Sequence, residues 1–421
     1  MKEIQANDFE QEVLNADMVV LDFYSTECPP CEALAPKFEA MSALYGAHIT
    51  FLKMYRQGNR ELASSLGVTS SPTVLFFKHG TQVAEPISGG IKKAQLREKL
   101  DSMLPQNIIE SIHAKQEKTS SRYEVAILGA GPAGLTAAMY LGQAKVSTVL
   151  IDTALPGGYM GITHQVSNYP GFVEPQPGYL LAHMMGEQAK KTGIDTRFAV
   201  DVTAIDLIGK TIVVDETETI QVDKIILAMG TTPNQMNIPG EQAFKGKGIS
   251  YCATCDAKYY QDKEVVVIGG GNSAVEEALF IAKFASKITM IHQFDQLTAN
   301  QAAIDQLMAE PKIQVIYNSE PRSFEKQADQ MMTIIENTQT GKKVSIQSDG
   351  VFVFIGFKPN AAIPEAQMPA CDPWGYFLTN EYRLTNIPNV YAAGDIVSKP
   401  YRQITTAVAD GTIAAISASK A

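Results

Sequence analysis

Twice in this chain a short apolar strand runs into a glycine-rich turn and then an apolar helix. The strand at 123–128 leads into Gly129-Ala130-Gly131-Pro132-Ala133-Gly134 and a helix opening Leu135-Thr136-Ala137-Ala138-Met139. The next strand, at 147–151, ends at Asp152, 18 residues past Gly134. The strand at 264–268 repeats the design with Gly269-Gly270-Gly271-Asn272-Ser273-Ala274 and a helix at 275–284. A lone GxGxxG says little. With a strand before it, a helix after it and an acid about 20 residues on, it specifies a dinucleotide-binding α/β unit. The glycines admit a pyrophosphate at the helix N-terminus and the acid holds a ribose 2′-hydroxyl. Two such sites in one chain point to a flavin and a nicotinamide cofactor.

The length, 421 residues, suggests two to four domains at about 100–200 residues each. A net charge of −10 with no run of consecutive Lys/Arg argues against a nucleic-acid partner. No apolar run approaches the roughly 18–20 residues of a membrane span, and the opening Met1-Lys2-Glu3-Ile4-Gln5 has no apolar stretch after it. A cytoplasmic protein is expected. Four of the five cysteines form two Cys-x-x-Cys pairs, Cys28/Cys31 and Cys252/Cys255, and Cys371 stands alone. Structural zinc draws its pairs from a short stretch, and here Cys31 and Cys252 lie 221 positions apart. Two separate dithiol centres and no metal are the better reading. Cys371 reads as a loop or packing residue.

Residues 1–104 read as one small α/β unit, with strands at 18–24, 49–54 and 73–77 and helices at 31–44 and 92–100. Residues 105–121 turn polar and read as a linker, about 20–25 Å long as a flexible coil. The first strand puts Cys28 at a helix N-terminus, where unpaired N–H groups and the dipole stabilise a thiolate. Cys31, one turn in, is placed to attack a mixed disulfide on Cys28. Asp22, inside an apolar strand, is costly to bury and is a candidate proton acceptor for the deeper thiol. Pro72, ahead of the strand at 73–77, is a candidate cis-proline. These residues, with Pro36 and Gly89-Gly90, resemble thioredoxin across residues 1–104. The resemblance implies Cys28 as attacking thiol, Cys31 as resolving thiol, Asp22 as buried acid and Pro72 as cis-proline. Glu27 and Glu32 depart from the family pattern, as does the inner Pro-Pro. Two carboxylates beside the thiol should raise its pKa and narrow its partners.

Residues 122–418 closely resemble the low-molecular-weight thioredoxin reductases. The match rests on both glycine motifs, Tyr251-Cys252-Ala253-Thr254-Cys255-Asp256, Gly157-Gly158, Asn168-Tyr169-Pro170-Gly171, Ala228-Met229-Gly230, residues 354–360, Ala393-Gly394-Asp395 and Tyr401-Arg402-Gln403. The resemblance implies an α/β architecture in which a thioredoxin fold precedes a two-domain, Rossmann-like flavoprotein disulfide reductase. Its FAD domain is split into 122–233 and 350–421, and a nicotinamide-nucleotide domain at 234–349 carries the second cysteine pair. Gly129, Gly131, Gly134, Asp152, Gly158, Asn168, Gly394, Asp395, Arg402 and Gln403 would serve FAD. Gly269, Gly271 and Ala274 would serve the nicotinamide nucleotide. Cys255 would face the isoalloxazine, Cys252 would be the exchange thiol, and Asp256 the proton donor and acceptor. A homodimer is also implied.

One departure concerns the electron donor. Relatives that use NADPH carry an arginine-rich stretch after the strand at 288–291, and here it reads His292-Gln293-Phe294-Asp295-Gln296-Leu297-Thr298. Without a guanidinium fork a 2′-phosphate loses its strong bonds. NADPH preference is therefore not expected, and NADH or a non-nucleotide donor such as ferredoxin is. A second departure is Tyr159, where relatives carry glutamine near the flavin. The expected activity is FAD-dependent reduction of the Cys28–Cys31 pair through Cys252–Cys255, and then of protein disulfides, including a dedicated target such as a peroxiredoxin. The alternatives are a ferredoxin-dependent enzyme, a redox-sensing binding protein, and an alkyl hydroperoxide reductase flavoprotein. That last family carries two fused thioredoxin-like modules, and 104 residues hold one.

Overall fold

The computed structural model describes residues 1–26, 28–116, 118–163, 166 and 168–420, with Thr254 and Cys255 described in backbone only. Among these, three α/β bodies follow the chain.

The first body is built on Met18–Tyr24, whose β-branched and aromatic residues make a strand buried on both faces. It runs parallel to Thr50–Tyr55 and antiparallel to Thr73–Lys78. Lys2–Glu3 and Thr81–Gln82 extend the sheet at its two sides. Side chains alternate between faces. Val20, Phe51, Val74 and Phe76 pack under Leu34, Phe38 and Met41 of the Pro29–Tyr45 helix and Leu96 and Leu100 of the Lys93–Asp101 helix. Val19, Leu21, Phe23 and Leu75 pack on the opposite face with Ile4, Phe9 and Val13.

The stretch expected as a flexible 17-residue linker is largely a helix, Gln106–Ala114. Ile108, Ile109 and Ile112 hold it against the first body's core. Their i, i+1, i+4 spacing is one apolar stripe set among Gln, Asn, Glu and His, and the polar composition hides it. Four residues separate that helix from the next strand, Thr119–Leu128.

The second body is a sheet ordered Val202–Asp206, Thr211–Val214, Glu218–Leu227, Thr119–Leu128, Thr148–Asp152 and Asp195–Phe198, with Val390–Ala392 also on Glu218–Leu227. Its central strands are parallel and buried on both sides. The Pro132–Gln143 and Ile404–Lys420 helices cover one face. They approach closely: a Cβ on Gly411 would fall 2.1 Å from the Ala133 carbonyl oxygen.

The third body is a parallel sheet ordered Ile249–Ser250, Gly350–Val353, Glu264–Ile268, Lys287–Ile291 and Ile313–Ile316. An antiparallel layer of Ser319–Gln327, Gln330–Asn337 and Lys343–Ser348 packs beside it. Gly350–Val353 therefore belongs to this body, and the expected return to the FAD domain at residue 350 comes too early. Val351, Phe352 and Val353 are fully buried between two parallel neighbours. The chain crosses between the bodies where Thr231–Pro233 pairs antiparallel with Phe357–Pro359.

Candidate active site

The first strand ends at Tyr24 and the next helix starts at Pro29, so Cys28 becomes the helix N-cap with extended backbone. Its Sγ accepts from the Cys31 N–H at 3.3 Å. Cys28 and Cys31 form a disulfide with Cα atoms 5.2 Å apart. Cys31 is buried and Cys28 half-buried, so Cys28 is the sulfur a partner can reach. The Ser71–Pro72 bond is cis, and the Ser71 carbonyl oxygen lies 3.6 Å from the Cys28 sulfur. Gly89 N–H donates to the Pro72 carbonyl at 3.3 Å, which brings the Gly89-Gly90 turn to the same edge. Arg56 holds the Ser71 hydroxyl at 2.8 Å.

Asp22 lies buried in the central strand, in register with Lys53 and Val74. Its Oδ1 has no hydrogen-bond partner. Burial pushes its carboxyl up to about 7, against the opposing pull of Lys53. A carboxyl that holds its proton near neutrality suits the role of proton carrier. Of the two flanking carboxylates expected to disfavour the thiolate, Glu27 lies outside the described residues. Glu32 meets the Lys190 ammonium of the second body at 2.6 Å, so its charge is offset.

In the second body the Gly129–Gly134 turn is shaped by backbone that side chains would obstruct. Gly129 has φ +105°, and a Cβ on Gly134 would fall 1.8 Å from the Gly129 carbonyl oxygen. Gly131 caps the Pro132–Gln143 helix, and the Gly158 Cα lies close beside it. Asp152 ends its strand as expected. Its two oxygens accept from Ala130 N–H at 2.5 Å and Ala154 N–H at 2.8 Å, while burial raises its pKa. The lone pairs left on that carboxylate can accept further hydrogen bonds from a hydroxyl.

The second glycine-bearing turn of this cradle, Gly394-Asp395, faces Ala133. Asp395 Oδ1 is buried with no hydrogen-bond donor, and the Lys399 ammonium stands 3.5 Å away. Burial raises the Asp395 pKa, and Lys399 opposes it. Asn168 donates to the Gln403 side chain at 3.0 Å, which joins two expected site residues 235 positions apart. The Arg402 guanidinium lies over the Tyr376 ring at 3.7 Å and donates to the Asp395 carbonyl at 3.2 Å. Three residues that sequence reasoning missed brace this turn. Asp410, buried in the Ile404–Lys420 helix, accepts from Gly394 N–H at 3.1 Å, Lys399 at 2.9 Å and Arg383 at 2.7 Å. An aspartate among Ala and Gly in an apolar helix is the one sequence signal it left. The glycine cradle and the orphaned Asp395 acceptor fit a polyhydroxylated, pyrophosphate-bearing group such as FAD.

The third body carries the second cysteine pair. Cys252 is half-buried and disulfide-bonded, and the side chain of Cys255 lies outside the described residues. Ser250 Oγ accepts from the Cys252 N–H and donates to its carbonyl, both at 3.1 Å. Asp256 is one turn on, its N–H donating to the Cys252 carbonyl at 3.3 Å. Gly269, at φ +133°, would place a Cβ 2.1 Å from the Phe354 carbonyl oxygen, and Gly271 caps the Asn272–Ile281 helix, with Ala274 buried beneath. The segment after Lys287–Ile291 folds back on this turn. A Cβ on Gly270 would strike the buried His292 ring at 2.3 Å, and Thr298 donates to the Gly270 carbonyl. Glu277 of the same helix lies within electrostatic reach of Tyr159 in the second body. Burial, and after it Glu276, push Glu277 up to about 7. Burial, and after it the Glu277 charge, push the Tyr159 phenol up to about 12. Tyr159 also meets Phe357 edge-on at 5.0 Å.

Residues 123–411 match the family model described as Pyridine nucleotide-disulphide oxidoreductase, and residues 1–102 match Thioredoxin. A thioredoxin reductase of Peptoclostridium acidaminophilum is 40% identical over 305 residues, which are 71% of this chain and 96% of that protein. A thioredoxin reductase of Bacillus subtilis (strain 168) is 37% identical over 294 residues, 70% of this chain and 92% of that one. Among solved structures, Lactococcus lactis thioredoxin reductase in its FR conformation aligns with TM-score 0.67 and 36% identity, covering 71% of this chain and 98% of that chain. Thioredoxin reductase of T. acidophilum aligns with TM-score 0.65 and 30% identity, covering 71% and 98%. The chain thus belongs to the pyridine nucleotide-disulphide oxidoreductase family, as an FAD-dependent thioredoxin-disulfide reductase with a thioredoxin domain in the same polypeptide.

Proposed function

We propose that this reductase serves its own thioredoxin module, with Cys252 and Cys255 as the reducing pair, Cys28 and Cys31 as the pair reduced, and protein disulfides as the final acceptors. The observation that carries the reading is the presence of two oxidised dithiol sites, at Cys28–Cys31 and at Cys252, on separate bodies of one chain. Gly129, Gly131, Gly134, Asp152, Gly158, Asn168, Gly394, Asp395, Arg402 and Gln403 are the residues that would hold FAD. When bound, FAD supplies two-electron reduction of the Cys252–Cys255 disulfide at the expense of a reduced donor.

The thiol steps belong to the chain itself. The Cys252 thiolate attacks the Cys28 sulfur, a Cys252–Cys28 bond forms, and the electron pair of the broken Cys28–Cys31 bond leaves on Cys31. Cys255 then attacks Cys252, which re-forms the Cys252–Cys255 disulfide and releases Cys28 as thiolate. Asp256, one turn from Cys252, carries a proton for that pair, and Asp22 takes up and returns the proton of Cys31. Tethering makes the transfer intramolecular, with an effective concentration on the order of millimolar where the span permits.

The donor is a pyridine nucleotide, and we assign it as NADH. Residues 292–298 hold no arginine, and His292 is buried against Gly270 with its Nε2 3.0 Å from the Gln296 carbonyl. A 2′-phosphate therefore meets no guanidinium in this segment. Anaerobic bleaching of the flavin with NADH, NADPH and reduced ferredoxin in turn tests the assignment. NADH is expected to bleach fastest. Faster bleaching by NADPH or ferredoxin would overturn it.

A further inference from the structure

The thioredoxin module is seated on the flavin domain, and the seat adjoins its disulfide. Lys37, one face of whose helix points away from the module's core, is buried and donates to the Ile91 carbonyl at 3.0 Å and to the Ala199 carbonyl of the flavin domain at 2.7 Å. Lys92 pairs with Asp201 at 2.7 Å and Arg97 with Glu216 at 3.0 Å. Lys93 reaches the Thr217 hydroxyl at 3.4 Å. Module cations thus meet an acidic rim formed by the 199–201 and 215–217 turns. On the other side of the disulfide the polarity reverses, Glu32 meeting Lys190 at 2.6 Å.

The seat reaches the edge that a substrate would need. A Cβ on Gly90 would stand 3.5 Å from the Leu155 side chain and 3.8 Å from that of Ala199. The Gly89 N–H donates to the Pro72 carbonyl, and the Ser71 carbonyl adjoins the Cys28 sulfur. Glu32 follows Cys31 directly. The flavin domain therefore flanks the Cys28 edge from the Gly90 side and from the Glu32 side. A small reagent can pass between these flanks to the half-buried Cys28, whereas a folded protein needs the whole edge clear.

We propose that the acidic rim at Asp201 and Glu216, with Leu155 and Lys190, is a docking surface for the thioredoxin module that parks it with Cys28 screened from foreign protein disulfides. The parked module opens to exchange with its targets. The ion pairs that hold it are partly exposed, contribute little each and are screened by salt, and the buried tie across the seat, Lys37 to the Ala199 carbonyl, is a single hydrogen bond of modest net worth. Docking is accordingly reversible. This inference rests on the reading that Cys28 meets foreign disulfides, and its test does not depend on that reading.

The test compares alkylation of reduced Cys28 by N-ethylmaleimide and by a polyethylene-glycol maleimide of several kilodaltons in the full-length, flavin-loaded chain, with Cys28 modification quantified by peptide mass spectrometry. K92E/R97E is expected to raise the large-to-small rate ratio about fivefold, as removal of two exposed pairs permits. The reciprocal variant D201K/E216K should do the same. The four-fold charge swap should return the ratio toward that of the natural chain. Raising salt should open the natural chain as the charge reversals do. A ratio unchanged by both charge reversals and by salt would overturn the proposal, and so would a charge swap left as open as its parents. If the ratio moves as stated while Cys28→Ser retains protein-disulfide turnover, docking stands and the reading of Cys28 falls.

Discussion

Lys37 donates to the Ala199 carbonyl oxygen at 2.7 Å across the joint between the thioredoxin module and the flavin domain. The same ammonium holds the Ile91 carbonyl, so one buried cation ties the helix behind Cys28, the turn after Gly90 and the flavin domain together. Burial brings Lys37 down to about 8, with Asp215 and Asp201 pulling the other way. Lys37→Met keeps the apolar stem and removes the donors. Calorimetry of the full chain should show the module's unfolding weakened by about 1–2 kcal/mol, with the flavin domain's transition unmoved.

Asp22 gives the module a pH signature. The folded carboxyl titrates at about 7, while in the unfolded chain it titrates near 4. Between these values the folded state binds the extra proton, so stability falls as pH rises through that window and levels off above it. The span is at most about 4 kcal/mol. Urea midpoints of the oxidised chain should trace that fall, and Asp22→Asn should flatten it.

Gly134→Ala would drive a Cβ into the Gly129 carbonyl, which shapes the turn beneath the proposed pyrophosphate. The variant should fold yet show the visible absorbance of an apoprotein. Normal flavin loading would contradict the placement of that cradle.

Asp410→Asn would leave Lys399 and Arg383 without their buried counter-ion beside Asp395. Breaking such a group from one side costs about 3–5 kcal/mol. A lowered melting temperature together with flavin released on dilution is the expected result.

The fold was legible where pattern and chemistry coincide. The strand at 18–24 and the N-cap position of Cys28 follow from an apolar run that stops at Tyr24, three polar residues before Cys-Pro-Pro-Cys. Both glycine turns follow from strand, spacing and helix. What stayed hidden depends on neighbours distant in sequence. Ile108, Ile109 and Ile112 read as a polar linker until the core they complete is present. Val351 to Val353 could close either body's sheet, and only pairing with Glu264–Ile268 decides between them. Asp410 and Lys37 show no motif because their partners come from other elements. Glu32 read as a bare negative charge beside the thiol, and Lys190, 158 positions away, answers it.

The relay itself is tested most directly by trapping its intermediate. In a Cys31→Ser, Cys255→Ser double variant, each attacking thiol remains and each resolving thiol is gone. On mild oxidation, peptide mass spectrometry should find a Cys28–Cys252 disulfide as the dominant cross-link. Oxidation that leaves both thiols free, or that joins either of them only to Cys371, would contradict the account.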